Sequence, residues 1–491
     1  MKTLNKLFGA ALVASLLFSC NDDFLETEPT EFISSDQIGD LSEQNPELQA
    51  ANIKGIYALM YQRGTGGTLR HTDFGQKSYD IYGDLLSGNM VMGGLNYGWY
   101  SNVADLTMTT DYNDTENYEA WRYYYRLIFS ANLMIEQLGG NDEIPEDEQA
   151  QVYYAQAKFF RGMSYFYLMN YFTEGYAPGT QGIPYYDVVS DAQPSIEQAE
   201  LYGKLTDDLK QATQLLEGFD RGTIKNEVNQ DVAESYLAYA YAAMGEDDLA
   251  ATHSKNVIDR GNHPIMTAAE VSGTSAPAGF NDASTPGWIW GMDITLDQGL
   301  GLVSWWGQVD VYTYSYAYVG DPKSINAELL DEMPADDVRK SQFSDVFGSG
   351  QPAPVNKFFA EGRSLGGQRN ITSDYIYLRM AEMYLLNAEA SAKSGDEATA
   401  KTSLKAVVEL RVNDATYIDA LSGQDLLDEI YVQTRRELWG EGKSYLAMKR
   451  NEATVKYPTN HLTNAGETYQ YNADELTFEF PIEEVQNNPN L

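Results

Sequence analysis

The sequence predicts a mainly α-helical fold of stacked helix pairs, interrupted by long irregular loops and a few short strands. Three observations carry this expectation. Long blocks place aromatic and small residues at steps of three and four, one such pair of blocks recurs at a constant offset of 150 residues, and Gly-, Asn- and Tyr-rich regions at about 62–117 and 262–370 break the helical pattern. A length of 491 residues allows about two to four domains or one large helical domain, and residues 46–491 are expected to form a single domain.

The first element is a leader. Lys2 and Lys6 precede an apolar run from Leu7 to Phe18, too short for the ~20 residues that span a bilayer. It reads as a secretory signal peptide over residues 1–19. Cys20 follows at once and is the only cysteine, so intrachain disulfides and thiolate metal sites are excluded. The polar stretch 20–45 reads as a tether, and helical patterning begins near Asn45.

In "TENYEAWRYYYRLIFSANLMIEQL", Tyr118, Trp121, Tyr125, Ile128 and Asn132 share one helical face. In "QVYYAQAKFFRGMSYFYLMNYF", Tyr153, Ala157, Phe160, Ser164 and Tyr167 do the same. Both faces are expected to be helix–helix core. The internal repeat matches Ala238, Ala242, Gly245, Ala250 and Val257 to Ala388, Ala392, Gly395, Ala400 and Val407. Small residues allow close helix approach, the glycine closes the first helix, and an acidic residue starts the second. This is the logic of tetratricopeptide repeats, in which each pair buries its apolar face against neighbours, so at least three pairs are expected. "GWIWGMDITL" reads as a strand.

Composition narrows the chemistry. A net charge of −39 repels phosphate backbones, so nucleic acid is not an expected partner, and a neutral or cationic ligand fits better than a polyanion. Removal of residues 1–19 takes away two lysines and no acid, leaving −41. The four histidines show no zinc spacing, and no G-x-S-x-G elbow occurs. "GEGKS" at Gly440–Ser444 has Glu437 where a phosphate-binding loop needs its first glycine. No metal, cofactor or catalytic residue is expected. With 72 acidic residues, close carboxylate pairs arise by chance, so a surface glycoside hydrolase stays an alternative that no specific pair supports.

What remains is aromatic. "LNYGWYSN" offers Asn96, Tyr97 and Trp99, and "SWWGQVDVYTYSYAYVG" holds Trp305, Trp306, Asp310 and Tyr312. Adjacent tryptophans in a strand or loop point to opposite sides, so one can be core and the other exposed. The alternation Tyr312, Tyr314, Tyr316, Tyr318 puts four rings on one face of a strand, either as core or as a platform. Sugar rings stack on such planes while their hydroxyls take hydrogen bonds. The candidate ligand contacts are therefore Tyr97, Trp99, Trp305, Trp306 and Tyr312 for stacking, with Arg70, Asp73, Asn96 and Asp310 for hydrogen bonding.

Several segments, in this order, resemble the SusD/RagB family of Bacteroidota outer-surface lipoproteins: "LFSC" with "CNDDFLETEP", "WRYYYRLIFSANLMI", "AKFFRGMSYFYLMNYFTEGYAPGTQGIPYYD", "DYIYLRMAEMYLLNAEA", "RRELWGEGKSYLAMKR" and "FPIEEVQNNPNL". The resemblance implies lipid on Cys20, an outer-membrane location facing the exterior, and about four helix pairs. It makes "GEGKS" a structural helix break with Glu441 and Arg436 in packing roles. It further implies a non-enzymatic protein that binds oligosaccharides or, in some members, peptides, and works with a SusC-like TonB-dependent barrel. The family's shared motifs contain no binding residues, so none transfer to this chain.

Overall fold

The computed structural model describes residues 46–274 and 279–491; the leader, Cys20 and the tether lie outside the described residues. Helices α1 (Pro46–Leu59), α2 (Gln76–Leu86), α3 (Thr115–Gln137), α4 (Glu148–Phe172), α5 (Gln198–Leu215), α6 (Gln230–Ala243), α7 (Asp247–Arg260), α8 (Met380–Lys393), α9 (Glu397–Val408), α10 (Gly423–Glu437) and α11 (Ser444–Arg450) form the frame. Each of α3 to α9 packs on the next, so the stack runs as a continuous layer of antiparallel rods. Asp114 and Asp147 cap α3 and α4 by accepting from Glu116 N and Ala150 N.

The repeat behaves as its spacing requires. Ala238, Ala250 and Val257 in α6–α7, and Ala388, Ala400 and Val407 in α8–α9, are all buried. Gly245 and Gly395 take positive φ of 73° and 92°, and the residue after each reaches back to the helix, Glu246 N to Tyr241 O and Asp396 N to Ser391 O. The α4 face from Ala157 to Tyr167 is core, with Tyr153 at its edge. The α3 face is only partly so: Trp121, Ile128 and Asn132 are enclosed, whereas Tyr118 and Tyr125 are half-buried beside an exposed Phe129.

The irregular regions are more ordered than their composition implies. Residues 62–117 contain the fully buried α2 and a strand, Met90–Met92, paired antiparallel with Lys323–Ile325. The expected strand at Trp288–Met292 forms, antiparallel to Tyr375–Arg379. The Tyr312–Tyr318 segment is not a strand. Ser304 caps a short helix Trp305–Val309, and Ser315 caps a second, Tyr316–Gly320.

A buried ion network ties these regions to the stack. Glu437, at the end of α10, accepts from Arg379 (2.7 Å), Arg411 (2.8 Å) and Arg339 (3.2 Å), and Glu441 accepts from Arg379 (2.7 Å) and Lys357 (2.8 Å). The guanidinium groups hold the Glu437 carboxyl well below the usual carboxylate range against the opposing effect of burial. Between these acids Gly440 (φ 78°) turns the chain from α10 into α11, which is the structural role expected of "GEGKS". Arg436 sits at the edge and donates to Glu332 O at 3.1 Å.

Candidate functional site

Two carboxylates shape the loops that carry the exposed rings. Asp73 accepts from Gly66 N (2.7 Å), Thr68 N (2.8 Å) and Thr68 Oγ1 (3.1 Å), folding residues 64–70 back on themselves. Asp321 accepts from Tyr97 N (2.9 Å) and Trp99 N (3.0 Å), clamping the 96–99 loop to the end of the Tyr316–Gly320 helix. Gly320 is required there, because a Cβ would occupy the space taken by the Tyr97 ring. A buried chain continues beneath: Lys323 Nζ donates to Gln308 Oε1 (2.6 Å), and Gln308 Nε2 donates to His71 O (3.0 Å).

On this frame four rings meet. His71 stacks on Trp99 with centroids 4.6 Å apart and planes 20° off parallel. The Tyr316 hydroxyl lies 2.6 Å from His71 Nε2, and Tyr316 meets Tyr97 edge-on at 5.1 Å. Tyr97 is 57% and Tyr316 42% exposed, Trp99 is half-buried, and His71 forms the floor. Tyr314, also exposed, lies two residues from Tyr316 and carries the Arg369 guanidinium 4.0 Å above its ring. Trp99 Nε1 and His71 Nδ1 are buried without a hydrogen-bond partner among the described residues.

The predicted residues divide. Asn96, Tyr97 and Trp99 share one surface loop, and Arg70 directly precedes the His71 that stacks on Trp99. Trp305 and Trp306 do not reach the surface; both are buried, since a helix sets neighbouring side chains about 100° apart and lets both rings reach the core around Phe358. Asp310 is buried as a turn-former, accepting from Tyr312 N, Thr313 Oγ1 and Ala360 N. Asp73 is equally buried and shapes its loop. Tyr312 packs into a satellite cluster with Val311, Tyr318, Ala353 and Val355. These five support the site rather than line it. Sequence reasoning missed His71 as a stacking partner and Arg369, and it selected Tyr312 from an alternation whose exposed members are Tyr314 and Tyr316.

Below the rings lie two glutamates. Arg70 pairs with Glu116, and Glu119 accepts from Thr68 Oγ1 (2.7 Å), Thr72 Oγ1 (2.9 Å) and Tyr82 OH (3.2 Å). Burial pushes Glu119 up to about 7, outweighing Arg70 nearby, and raises Glu116 as well. The folded chain thus retains a proton that the unfolded chain, near 4.5, releases. The associated stability is full below that value and is lost as pH rises toward 7. Urea unfolding should show wild type losing stability between about pH 5 and pH 8, and Glu119→Gln losing measurably less. Equal losses in both proteins would contradict the assignment. The clamp is also testable: Asp321→Ala should leave the Tyr97 and Trp99 amides unpaired and cost about 1–3 kcal/mol of stability in the same unfolding assay. A loss within about 0.5 kcal/mol would show that the clamp is unimportant.

Comparison with known proteins adds two matching family models. The first, the SusD family, covers residues 344–491; the second, described as starch-binding associating with outer membrane, covers residues 76–242. A SusD-like protein of Formosa agariphila is 28% identical over 171 residues, 35% of this chain and 30% of that protein's length. Among solved structures, a SusD-like carbohydrate binding protein from Bacteroides vulgatus is 21% identical, with a TM-score of 0.73 over 90% of this chain and 96% of that one. A SusD superfamily protein from Bacteroides thetaiotaomicron gives 22% and 0.74 over 90% and 98%. The surface glycan-binding protein A of Bacteroides uniformis gives 17% and 0.65 over 91% and 99%. At these identities the structures speak for the shared fold alone. The two family models match at either end of the described fold, so the chain shares the fold of these structures and is similar to SusD proteins over residues 76–242 and 344–491.

Proposed function

We propose that this protein captures glycans outside the cell and passes them to a TonB-dependent outer-membrane transporter of the SusC type. Its ligand contacts are Tyr97, Trp99, Tyr316 and Tyr314 as stacking surfaces, with Arg70, His71 and Asn96 as hydrogen-bonding groups. The supporting observation is the meeting of exposed and half-buried rings in one cluster, held by Asp321 and by the His71–Tyr316 contact. Aromatic faces take the C–H surfaces of sugars, and neighbouring polar side chains take the hydroxyls. Attachment through lipid on Cys20 holds the protein at the outer membrane and completes the reading.

Hydrolysis has no support at this place. Glu116 and Glu119, the acids beneath the rings, have side chains that are 1% and 0% exposed and are held by Arg70 and by threonine hydroxyls. The test is calorimetry of the lipid-free protein from residue 21 against amylopectin, laminarin, galactomannan, xyloglucan, pectin and alginate, with their short oligomers and a panel of peptides. Binding of a glycan that changes little with salt is expected. Binding of basic peptides alone, weakening steeply with salt, would replace the glycan reading with peptide capture.

A further inference from the structure

The stripe on α3 that reads as core in the sequence opens on one side into a groove of about 370 Å³. Tyr118, Trp121, Tyr125 and Phe129 form one wall, the loop 186–190 faces them, and the short C-terminal helix Ile482–Asn487 brings Glu483 and Glu484 to the rim. The walls are fixed. Tyr125 OH donates to Pro184 O (2.7 Å), Asn132 Nδ2 to Tyr186 O (3.0 Å), and Trp121 Nε1 to Glu484 Oε2 (3.2 Å). Two residues in it are uncommitted. Phe129 is 53% exposed, and Arg122 lies over the Tyr118 ring at 6.0 Å without donating to any acceptor among the described residues.

The groove and the ring cluster are tied to the same helix, α3, and its flanking loop. Glu116 and Glu119 lie under the cluster, and the groove residues occupy the opposite face of the same helix, at about 100° per residue. Around the side of α3, the Arg122 guanidinium rests on Gly67, leaving no room for a Cβ, and Arg126 Nη1 reaches Gly64 O and Thr65 O (both 3.5 Å). Gly64, Thr65 and Gly67 belong to the loop that Asp73 folds and that delivers Arg70 and His71 to the cluster. Asn102 Nδ2, next to the ring loop, donates to the α3 cap Asp114 at 2.6 Å, one turn before Tyr118. The two aromatic surfaces are thus joined by a single rigid element and its flanking loop.

We infer that this groove is a second contact region for the same glycan, gripping the polymer farther along its length than the Trp99 cluster does. The inference rests on the glycan reading above. Its chemistry is of the same kind: the exposed Phe129 ring and the half-buried Tyr118 and Tyr125 lie with the Arg122 guanidinium, which packs on Gly67 without donating a hydrogen bond among the described residues, a rim carboxylate at Glu483 and the Ser190 hydroxyl. Opposite charges at the rim give no preference for a charged ligand and suit hydroxyls, which both donate and accept. Two contacts on one chain multiply through effective concentration, so a polysaccharide spanning both gains affinity that a short oligomer cannot.

The test uses Phe129→Ala, with Phe129→Tyr as the conservative variant, in the otherwise intact chain. Phe129 is exposed enough for the fold to tolerate both. Affinity electrophoresis reads polymer binding and calorimetry reads short-oligomer binding, with amylopectin, laminarin, galactomannan, xyloglucan, pectin and alginate as probes. Phe129→Ala should weaken binding of the recognised polysaccharide about tenfold or more, leave its short oligomer within about twofold, and be rescued by Phe129→Tyr. Unchanged polymer affinity in Phe129→Ala overturns the inference while the glycan reading stands. Loss of a self-associated species on sedimentation, with polymer affinity unchanged, assigns the groove to a second copy of the chain and overturns it too. If the wild type binds none of these glycans, both readings fall.

Discussion

Replacing Trp99 with alanine is expected to weaken glycan binding by about 2 kcal/mol or more, roughly thirtyfold. The ring is the wall against which His71 stacks, and its Nε1 is one of the unpartnered buried atoms of the cluster. Truncation therefore removes a stacking plane, a donor, and the support of its neighbour together. Tyr97→Ala removes an outer ring that touches the cluster only through Tyr316, so its cost should be smaller, about 1 kcal/mol. Calorimetry on both variants, with thermal unfolding to confirm that they fold, measures the pair. Wild-type affinity in Trp99→Ala would remove this ring from the site.

The largest effect on stability should come from Glu437→Ala. Its carboxylate answers three arginines that are themselves fully enclosed, Arg339, Arg379 and Arg411. Removing one member of a buried network strands the others, at a cost of about 3–5 kcal/mol. The network joins the β-paired segment ending at Arg379, the short 3-10 helix Val338–Gln342 that holds Arg339 and the end of α10, so the loss should also loosen the irregular layer. Urea denaturation measures it. A loss below about 1 kcal/mol would mean that Glu441 alone compensates the arginines.

The helical frame was legible because its signals are local. Small residues at fixed offsets, a glycine at each turn and an acid after it determine the two repeat pairs without reference to anything distant. The site was legible only in part, because its decisive interactions span hundreds of residues. His71 reaches Tyr316, and Asp321 holds Tyr97 and Trp99. Nothing near His71 in the chain marks it as a stacking partner. The tyrosine alternation misled for a different reason: Ser315 caps a short helix, which turns Tyr318 inward while Tyr314 and Tyr316 stay outside. A serine before an aromatic run is a weak cap signal, and the strand period overrode it. Trp305 and Trp306 failed in the same way, through Ser304. A helical face does not reveal whether its neighbour covers all of it, and on α3 the loop 186–190 covers only part.

Hydroxyl-radical footprinting of the protein saturated with its recognised glycan tests the central claim most directly, because it reports where the ligand sits rather than whether it binds. Protection should concentrate on Tyr97, Trp99, His71, Tyr314 and Tyr316. Full binding with these five residues as reactive as in the free protein would contradict the account.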